Sequence, residues 1–133
     1  MNVQGFNHVT INVKSLHESL PFYVDALGMD LVHKGSKDAY LEWGSAWICL
    51  QERGDYSDQR IETLGVDHVA FTINEENFHN AAQQLKEKNI PIVRGPVQRG
   101  GGWTINFLDP DGANIELHTG SLKERMKHWG GME

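Results

Sequence analysis

Gly5-Phe6-Asn7-His8-Val9 returns sixty residues later as Gly65-Val66-Asp67-His68-Val69, and this echo decides the fold. Self-similarity at a fixed offset means that one supersecondary unit is used twice. Each copy opens a strand. Val9, Ile11 and Val13 alternate with His8, Thr10 and Asn12, and Val69, Phe71 and Ile73 alternate with His68, Ala70 and Thr72, which is the period of two expected of a half-buried strand.

Working outward, Ser15-Leu16-His17-Glu18 is a capping box and starts a helix. Leu16, Leu20, Tyr23, Val24 and Leu27 share one face of it, Gly28 ends it, and Pro21 predicts a kink in its first turns. Strands follow at 29–34, 38–43 and 46–52. In the second half, Asn74 caps a helix running to about Lys88, with Phe78, Ala81, Ala82 and Leu85 as its apolar stripe. Strands follow at 91–94, 103–108 and 114–118, the last two joined by the turn Asp109-Pro110-Asp111-Gly112. The expected fold is therefore α+β. Two βαβββ modules, 4–52 and 65–119, form one domain over 1–133, a curved mixed-sheet cup with its helices outside. Polar residues 53–64 connect them, and Ser121-Leu122-Lys123-Glu124 starts a C-terminal helix over 121–129. Gly130 to Glu133 should fray.

The chain has 133 residues, 39% hydrophobic and 23% charged, so it carries a real core and is not a disordered segment. No apolar run reaches the ~20 residues of a membrane span. A formal net charge of −6 excludes a domain-wide footprint for nucleic acid, while leaving room for a local basic patch that holds a small anion. A single cysteine, Cys49, forbids an internal disulfide, and the first residues carry no secretory pattern. A cytoplasmic protein with no nucleic-acid or membrane partner is expected.

The repeated histidines carry the chemistry. His8 and His68 lie in the phase opposite to the apolar residues that pack on the helices. Near the end of the chain Glu116 alternates with Ile115 and Leu117, so it too points away from the helices. A carboxylate facing two imidazoles is costly unless a positive charge lies between them. Two His and one carboxylate with positions left open suit Mn²⁺, Fe²⁺ or Zn²⁺. An isolated strand histidine is ordinarily a hydrogen-bonded structural residue; repetition at matching phase, together with Glu116, favours ligation. His118 shares the face of Glu116 and suits a supporting role, whereas Cys49 reads as a small packed residue.

Asn7-His8-Val9-Thr10, Ser19-Leu20-Pro21-Phe22-Tyr23, Asp67-His68-Val69-Ala70-Phe71 and Phe107-Leu108-Asp109-Pro110-Asp111-Gly112 together resemble the vicinal oxygen chelate superfamily (glyoxalases, bleomycin-resistance proteins and dioxygenases) over residues 4–126. Ala39-Tyr40-Leu41-Glu42, Trp47-Ile48-Cys49-Leu50 and Glu116-Leu117-His118-Thr119-Gly120-Ser121-Leu122 with Arg125 are similar to stretches of its fosfomycin-resistance proteins, which open an epoxide with glutathione, another thiol or water. The resemblance implies His8, His68 and Glu116 as ligands of a divalent metal, Mn²⁺ first and Zn²⁺, Fe²⁺ or Ni²⁺ as alternatives. It implies that Thr10 activates or orients the epoxide and that Tyr40, Trp47 and Arg125 line the site of a small anionic substrate. It also implies a module-exchanged homodimer in which His8 completes a site holding the partner's His68 and Glu116.

One loop departs from that pattern. Where glutathione-using members carry a lysine and serines that bind phosphonate and potassium, this chain has Pro96, Gly100 and Thr104, with Asn106 in place of a tyrosine. Thr104 retains a hydroxyl and Arg99 a positive charge, and K⁺ is a doubtful cofactor. The Gly95-Pro96-Val97 segment looks more like glyoxalase I, but Cys49 stands where that enzyme has its fourth ligand, a Glu. A ring-cleaving dioxygenase with the same ligand set and a non-catalytic drug-binding protein of this fold are the other readings. Asp38, near the place where water-using fosfomycin enzymes hold a basic Glu, reads as a turn residue.

Overall fold

Strands β1 (Val9–Val13), β2 (Asp30–Lys34), β3 (Asp38–Trp43) and β4 (Ala46–Glu52) form a mixed sheet in the order β1-β4-β3-β2. Strands β5 (Val69–Thr72), β6 (Ile92–Arg99), β7 (Gly102–Leu108) and β8 (Asn114–His118) form a second sheet in the equivalent order, β5-β8-β7-β6. In each sheet the first and last strands pair in parallel and the remaining pairs are antiparallel. The echo in the sequence is thus an echo in topology. The computed structural model describes residues 1–57 and 62–130, which divide into the units Met1–Asp58 and Gln59–Glu133. The segment 131–133 and part of the 53–64 connector lie outside the described residues. No helix among the described residues is long and apolar enough to cross a membrane.

In the first unit the alternation in β1 does what the pattern demands: Ile11 and Val13 are buried and Thr10 and Asn12 exposed. Ile48 and Leu50 of β4, with Ala39 and Leu41 of β3, complete a core that also takes in Leu16, Tyr23 and Met29. Ser15 caps α1 (Leu16–Leu20) by accepting from the Glu18 N–H at 3.4 Å. The helix expected to continue to Leu27 instead changes character at Pro21, giving a π-helical segment, Pro21–Ala26. Pro21 lacks an N–H, and its ring crowds the carbonyl one turn back. The chain widens, and the Leu27 N–H reaches the Phe22 carbonyl, five residues back, at 3.0 Å. Gly28, at φ +84°, ends the segment.

In the second unit, α2 (Glu75–Glu87) buries Phe78, Ala82 and Leu85. It ends in a Schellman-type turn, with Asn89 at φ +58° and the Ile90 N–H on the Leu85 carbonyl at 3.1 Å. The Asp109 carboxylate accepts from the N–H groups of Asp111 and Ala113 at 3.0 and 2.7 Å and fixes the β7–β8 turn. Ser121 caps α3 (Leu122–Gly130) by accepting from the Glu124 N–H at 3.2 Å.

The strand expected over 91–94 is corrected to Ile92–Arg99. Pro96 has no N–H to give the ladder, yet β6 runs through Gly95-Pro96 with two register shifts against β7, one between Ile92 and Arg94 and one between Arg94 and Val97. A Cβ at Gly95 would lie 2.5 Å from the Thr104 carbonyl oxygen, so the absent side chain lets the two strands stay in contact there.

Candidate metal and anion site

Within the first unit, four residues singled out from the sequence share one face. Thr10 pairs with Cys49, and Cys49 with Tyr40, so these three lie in one row across the sheet. His8 stands just before β1 with its ring 4.2 Å from that of Trp47, and Trp47 and Tyr40 are 6.1 Å apart edge to face. Tyr40 and Trp47 remain about 39% and 40% exposed, too open for core packing. Cys49 is buried in the middle of this face. Asp38, expected as a turn residue, is instead the first residue of β3, paired with Gln51, and its carbonyl accepts from the Gly35 N–H.

The second unit holds the denser cluster. His68 stands before β5, and its Nε2 lies 3.5 Å from Glu116 Oε1. Glu116 is only 13% exposed in its side chain, and its second oxygen lies 3.9 Å from His118 Nδ1. Two donor atoms that share one ion at ~2.1 Å each sit roughly 3–3.5 Å apart, so the His68–Glu116 spacing fits a divalent metal.

The histidines are also aimed for it. His68 Nδ1 is held by Asp67 Oδ2 at 2.8 Å, and His8 Nδ1 by Asn7 Oδ1 at 2.6 Å. In both modules the residue immediately before the histidine engages the inner nitrogen and leaves Nε2 to coordinate, the usual arrangement of ligating imidazoles. Among the described residues no third His, Cys, Asp or Glu closes around His68 and Glu116.

A cavity of about 310 Å³ opens beside this pair. Thr104, Arg99 and Arg125, all named from the sequence, line it together with His118 and with Arg94, which was not foreseen. Thr104 is 3% exposed and its Oγ1 has no hydrogen-bond partner. A buried hydroxyl on a cavity wall is a donor and acceptor for whatever fills the cavity, water included.

The run Gly100-Gly101-Gly102, which departs from the pattern of the resembled proteins, has a structural reason. A Cβ at Gly100 would fall 2.5 Å from Arg125 Nη1, one at Gly101 3.0 Å from the Glu124 carbonyl oxygen, and one at Gly102 2.6 Å from the Gly120 nitrogen. The hairpin is therefore bare so that α3 and the chain leading into it can lie directly on it. That contact sets Arg125 over the cavity.

Asn106 is the second residue the sequence reading undervalued. It pairs with Glu116 across β7 and β8 and donates from Nδ2 to Glu116 Oε1 at 3.1 Å and to Asn114 Oδ1 at 3.2 Å. The signal was present. Asn106 alternates with fully buried Ile105 and Phe107, which puts it on the face of Thr104 and Glu116.

The family model described as the glyoxalase/bleomycin resistance protein/dioxygenase superfamily matches residues 5–117. Metallothiol transferase FosB of Staphylococcus epidermidis is 39% identical over 130 residues, 97% of this chain and 91% of that protein. Glutathione transferase FosA of Serratia marcescens is 36% identical over 126 residues, 93% of this chain and 86% of that one. The crystal structure of fosfomycin resistance protein FosX of Listeria monocytogenes, in complex with Mn(II) and a sulfate ion, matches with a TM-score of 0.78 at 27% identity, over 96% of this chain and 99% of that chain.

Proposed function

This chain belongs to the glyoxalase/bleomycin resistance protein/dioxygenase superfamily, and on that premise we propose that it is a metal-dependent transferase of the fosfomycin-resistance type, joining a thiol to a small epoxide that bears an anionic group. The observation that carries this reading is the placement of the His68–Glu116 pair in the same cavity as Arg99, Arg125 and the unpartnered Thr104 hydroxyl. A metal pair without an anion pocket would serve many reactions; the two together select a substrate with a reactive oxygen at one end and a negative charge at the other.

His8, His68 and Glu116 are the ligand set, with His8 supplied by the other protomer of a module-exchanged homodimer. Mn²⁺ is the first choice of ion, in keeping with the Mn(II) of the FosX crystal structure; Zn²⁺, Fe²⁺ and Ni²⁺ are the alternatives. A divalent ion there supplies Lewis acidity toward a substrate oxygen. Arg99 and Arg125 hold the anionic group by charge-assisted hydrogen bonds, and Thr104 donates its hydroxyl hydrogen to the same group. Thr10, Tyr40 and Trp47 share the face of His8 and come with it from the other protomer: Thr10 orients the epoxide oxygen, and Tyr40 and Trp47 close the apolar side of the small molecule. Held in this way, an epoxide carbon is presented to glutathione or another thiol. The new C–S bond forms as the C–O bond breaks, and the oxygen leaves with the electron pair and takes a proton. The cytoplasm, where thiols are abundant and reduced, is the fitting compartment.

The test is mass spectrometry of fosfomycin incubated with Mn²⁺-loaded protein and glutathione, beside a His8→Ala control. A glutathione adduct made by the wild type and not by the variant is the expected result. A diol would replace the thiol with water as nucleophile, and absence of any product from metal-loaded protein would overturn the epoxide reading.

A further inference from the structure

We propose that His33 is a further catalytic residue, the base that takes the proton from the attacking thiol. The inference rests on the thiol-transferase reading proposed above and deepens it, because that reading leaves one step without a residue. A thiol attacks as its thiolate, so its proton has to go somewhere. His8, His68 and Glu116 are committed to the metal, Arg99 and Arg125 hold an anion, and Thr10, Tyr40 and Trp47 position the small molecule.

Regular alternation along β2 would put His33 on the face of Leu31, two residues earlier. Leu31 pairs with Leu41, a fully buried core residue, so that face is the wrong one for an imidazole. The register shift between Leu31 and His33 changes this. His33 pairs not with Ala39 but with Tyr40, and the two rings lie 5.3 Å apart. Directly opposed residues share a face, so the row Thr10, Cys49, Tyr40, His33 runs across all four strands of the first sheet. The second sheet repeats the device, where a shift between Ile92 and Arg94 pairs Arg94 with Asn106 in the row of Glu116. A bulge that re-aims one side chain toward a site is a recurrent feature. Here it brings an exposed imidazole onto the face that holds the small molecule.

The surroundings suit a base. β2 is an edge strand, so β3 alone pairs with it. From β3, Asp38, Tyr40 and Glu42 share the face of His33, and Cys49 lies buried one strand farther. Asp30 and Lys34 are the charges on its own strand. A Cβ at Gly35 would collide with Asp38 Oδ1 and come within 3.7 Å of His33 Nε2, so the missing side chain leaves carboxylate and imidazole beside one small gap. An imidazole with a carboxylate at hand to orient it is the arrangement that activates weak nucleophiles. His33 accepts the S–H proton, the sulfur forms the C–S bond, and the C–O electron pair leaves with the epoxide oxygen. That oxygen takes up one proton from solvent and His33 releases the one it gained, so the product is a neutral thioether alcohol and the base is restored.

The test compares wild type with His33→Gln, which keeps a polar side chain but cannot take a proton. Full-length, Mn²⁺-loaded proteins are assayed with fosfomycin and glutathione between about pH 7 and about pH 9, the span in which a thiol of ordinary pKa ~8.5 ionises unaided. At the lower end kcat/KM for glutathione is expected to fall about a hundredfold in the variant, the range of a lost general base. The deficit should shrink as pH rises, because the thiol then reaches the site already ionised. A deficit of equal size at every pH, or none, overturns the proposal. A second measurement does not depend on the epoxide. In Zn²⁺-loaded protein, which is diamagnetic, the His33 ring resonances are identified by their loss in His33→Gln and followed by NMR at neutral pH. Glutathione is expected to move them toward their protonated position, and S-methylglutathione, which has no thiol proton, is not. If wild type makes an adduct, the pH dependence of the deficit decides. If it makes none while glutathione alone protonates His33, the epoxide reading falls and the thiol activation stands; if neither occurs, both fall.

Discussion

Asn106 donates its side-chain amide to Glu116 Oε1 at 3.1 Å from the facing position on the neighbouring strand, with Asn106 itself 1% exposed. The amide faces an oxygen that also lies 3.5 Å from His68 Nε2. It thus fixes the rotamer of the carboxylate and biases which lone pair is left for an ion. Partners of this kind are typically worth 10–100-fold in metal affinity. Asn106→Ala is expected to weaken Mn²⁺ binding by about that factor in a calorimetric titration, with the strand pairing retained. Unaltered affinity would show that Glu116 needs no such support.

Gly100 acts through Arg125. A serine at 100 would place its Cβ 2.5 Å from Arg125 Nη1, too close for the guanidinium to stay, at a residue with φ +61°. Gly100→Ser should raise KM for an anionic substrate by about tenfold with a smaller effect on kcat, and Arg125→Ala should do the same. The double variant should be no worse than Arg125→Ala alone, because the two changes remove one interaction. Additive losses would mean that Gly100 has a role of its own.

Gly102 is a packing position. The atom its Cβ would meet is the Gly120 backbone nitrogen at 2.6 Å, which cannot swing away as a side chain can. Gly102→Ala is expected to cost about 1–3 kcal/mol, the usual range for overpacking, read as a drop in denaturation midpoint. Gly54→Ala is the control. Its Cβ would sit 3.7 Å from the Lys14 carbonyl oxygen, an ordinary contact, and the midpoint should hold.

Glu52 ties β4 to the start of α1. Its carboxylate accepts from the Leu16 N–H at 2.9 Å and from Lys37 Nζ at 2.8 Å. Chiefly the Lys37 bond, and then the Leu16 N–H, lower its pKa below the ordinary 4.5. The folded value lies below the unfolded one, so the stabilisation is complete above the unfolded value and is lost as pH falls through the folded one. The pair is solvent-screened, so the effect is modest. Glu52→Gln should melt below the wild type at pH 7, with the gap closing under acid conditions. A gap independent of pH between 7 and 3 would refute the linkage.

The parts of this fold that local chemistry specifies were legible in the sequence. Ser15 and Ser121 cap helices where their spacing to Glu18 and Glu124 predicts, Asp109 closes its turn, and the phase of His8, Thr10, Tyr40 and Trp47 follows from strand alternation. What escaped depends on neighbours. Pro21 announces a disturbance, but a missing N–H and a crowded carbonyl are compatible with a bend as well as with the i→i+5 widening found at Pro21–Ala26. Arg94 was hidden because a bulge inverts the face assigned by counting. The glycine run looked like a loss of site residues until the helix lying on it was seen.

The parallel pairing of first and last strands has a consequence for how the protein is made. Val9 finds its partner Ile48, and Val69 finds Ile115, only after the rest of each module has been synthesised. On the ribosome each opening strand, with its histidine beside it, waits unpaired for the strand that closes its sheet, and long-range pairings of this kind form slowly. Arg125 emerges later still. It does so only a few residues after Glu116 and His118 of the closing strand, so the strand that carries the carboxylate and the last cation of the anion pocket become available together, and no completed second sheet precedes the charge it has to hold.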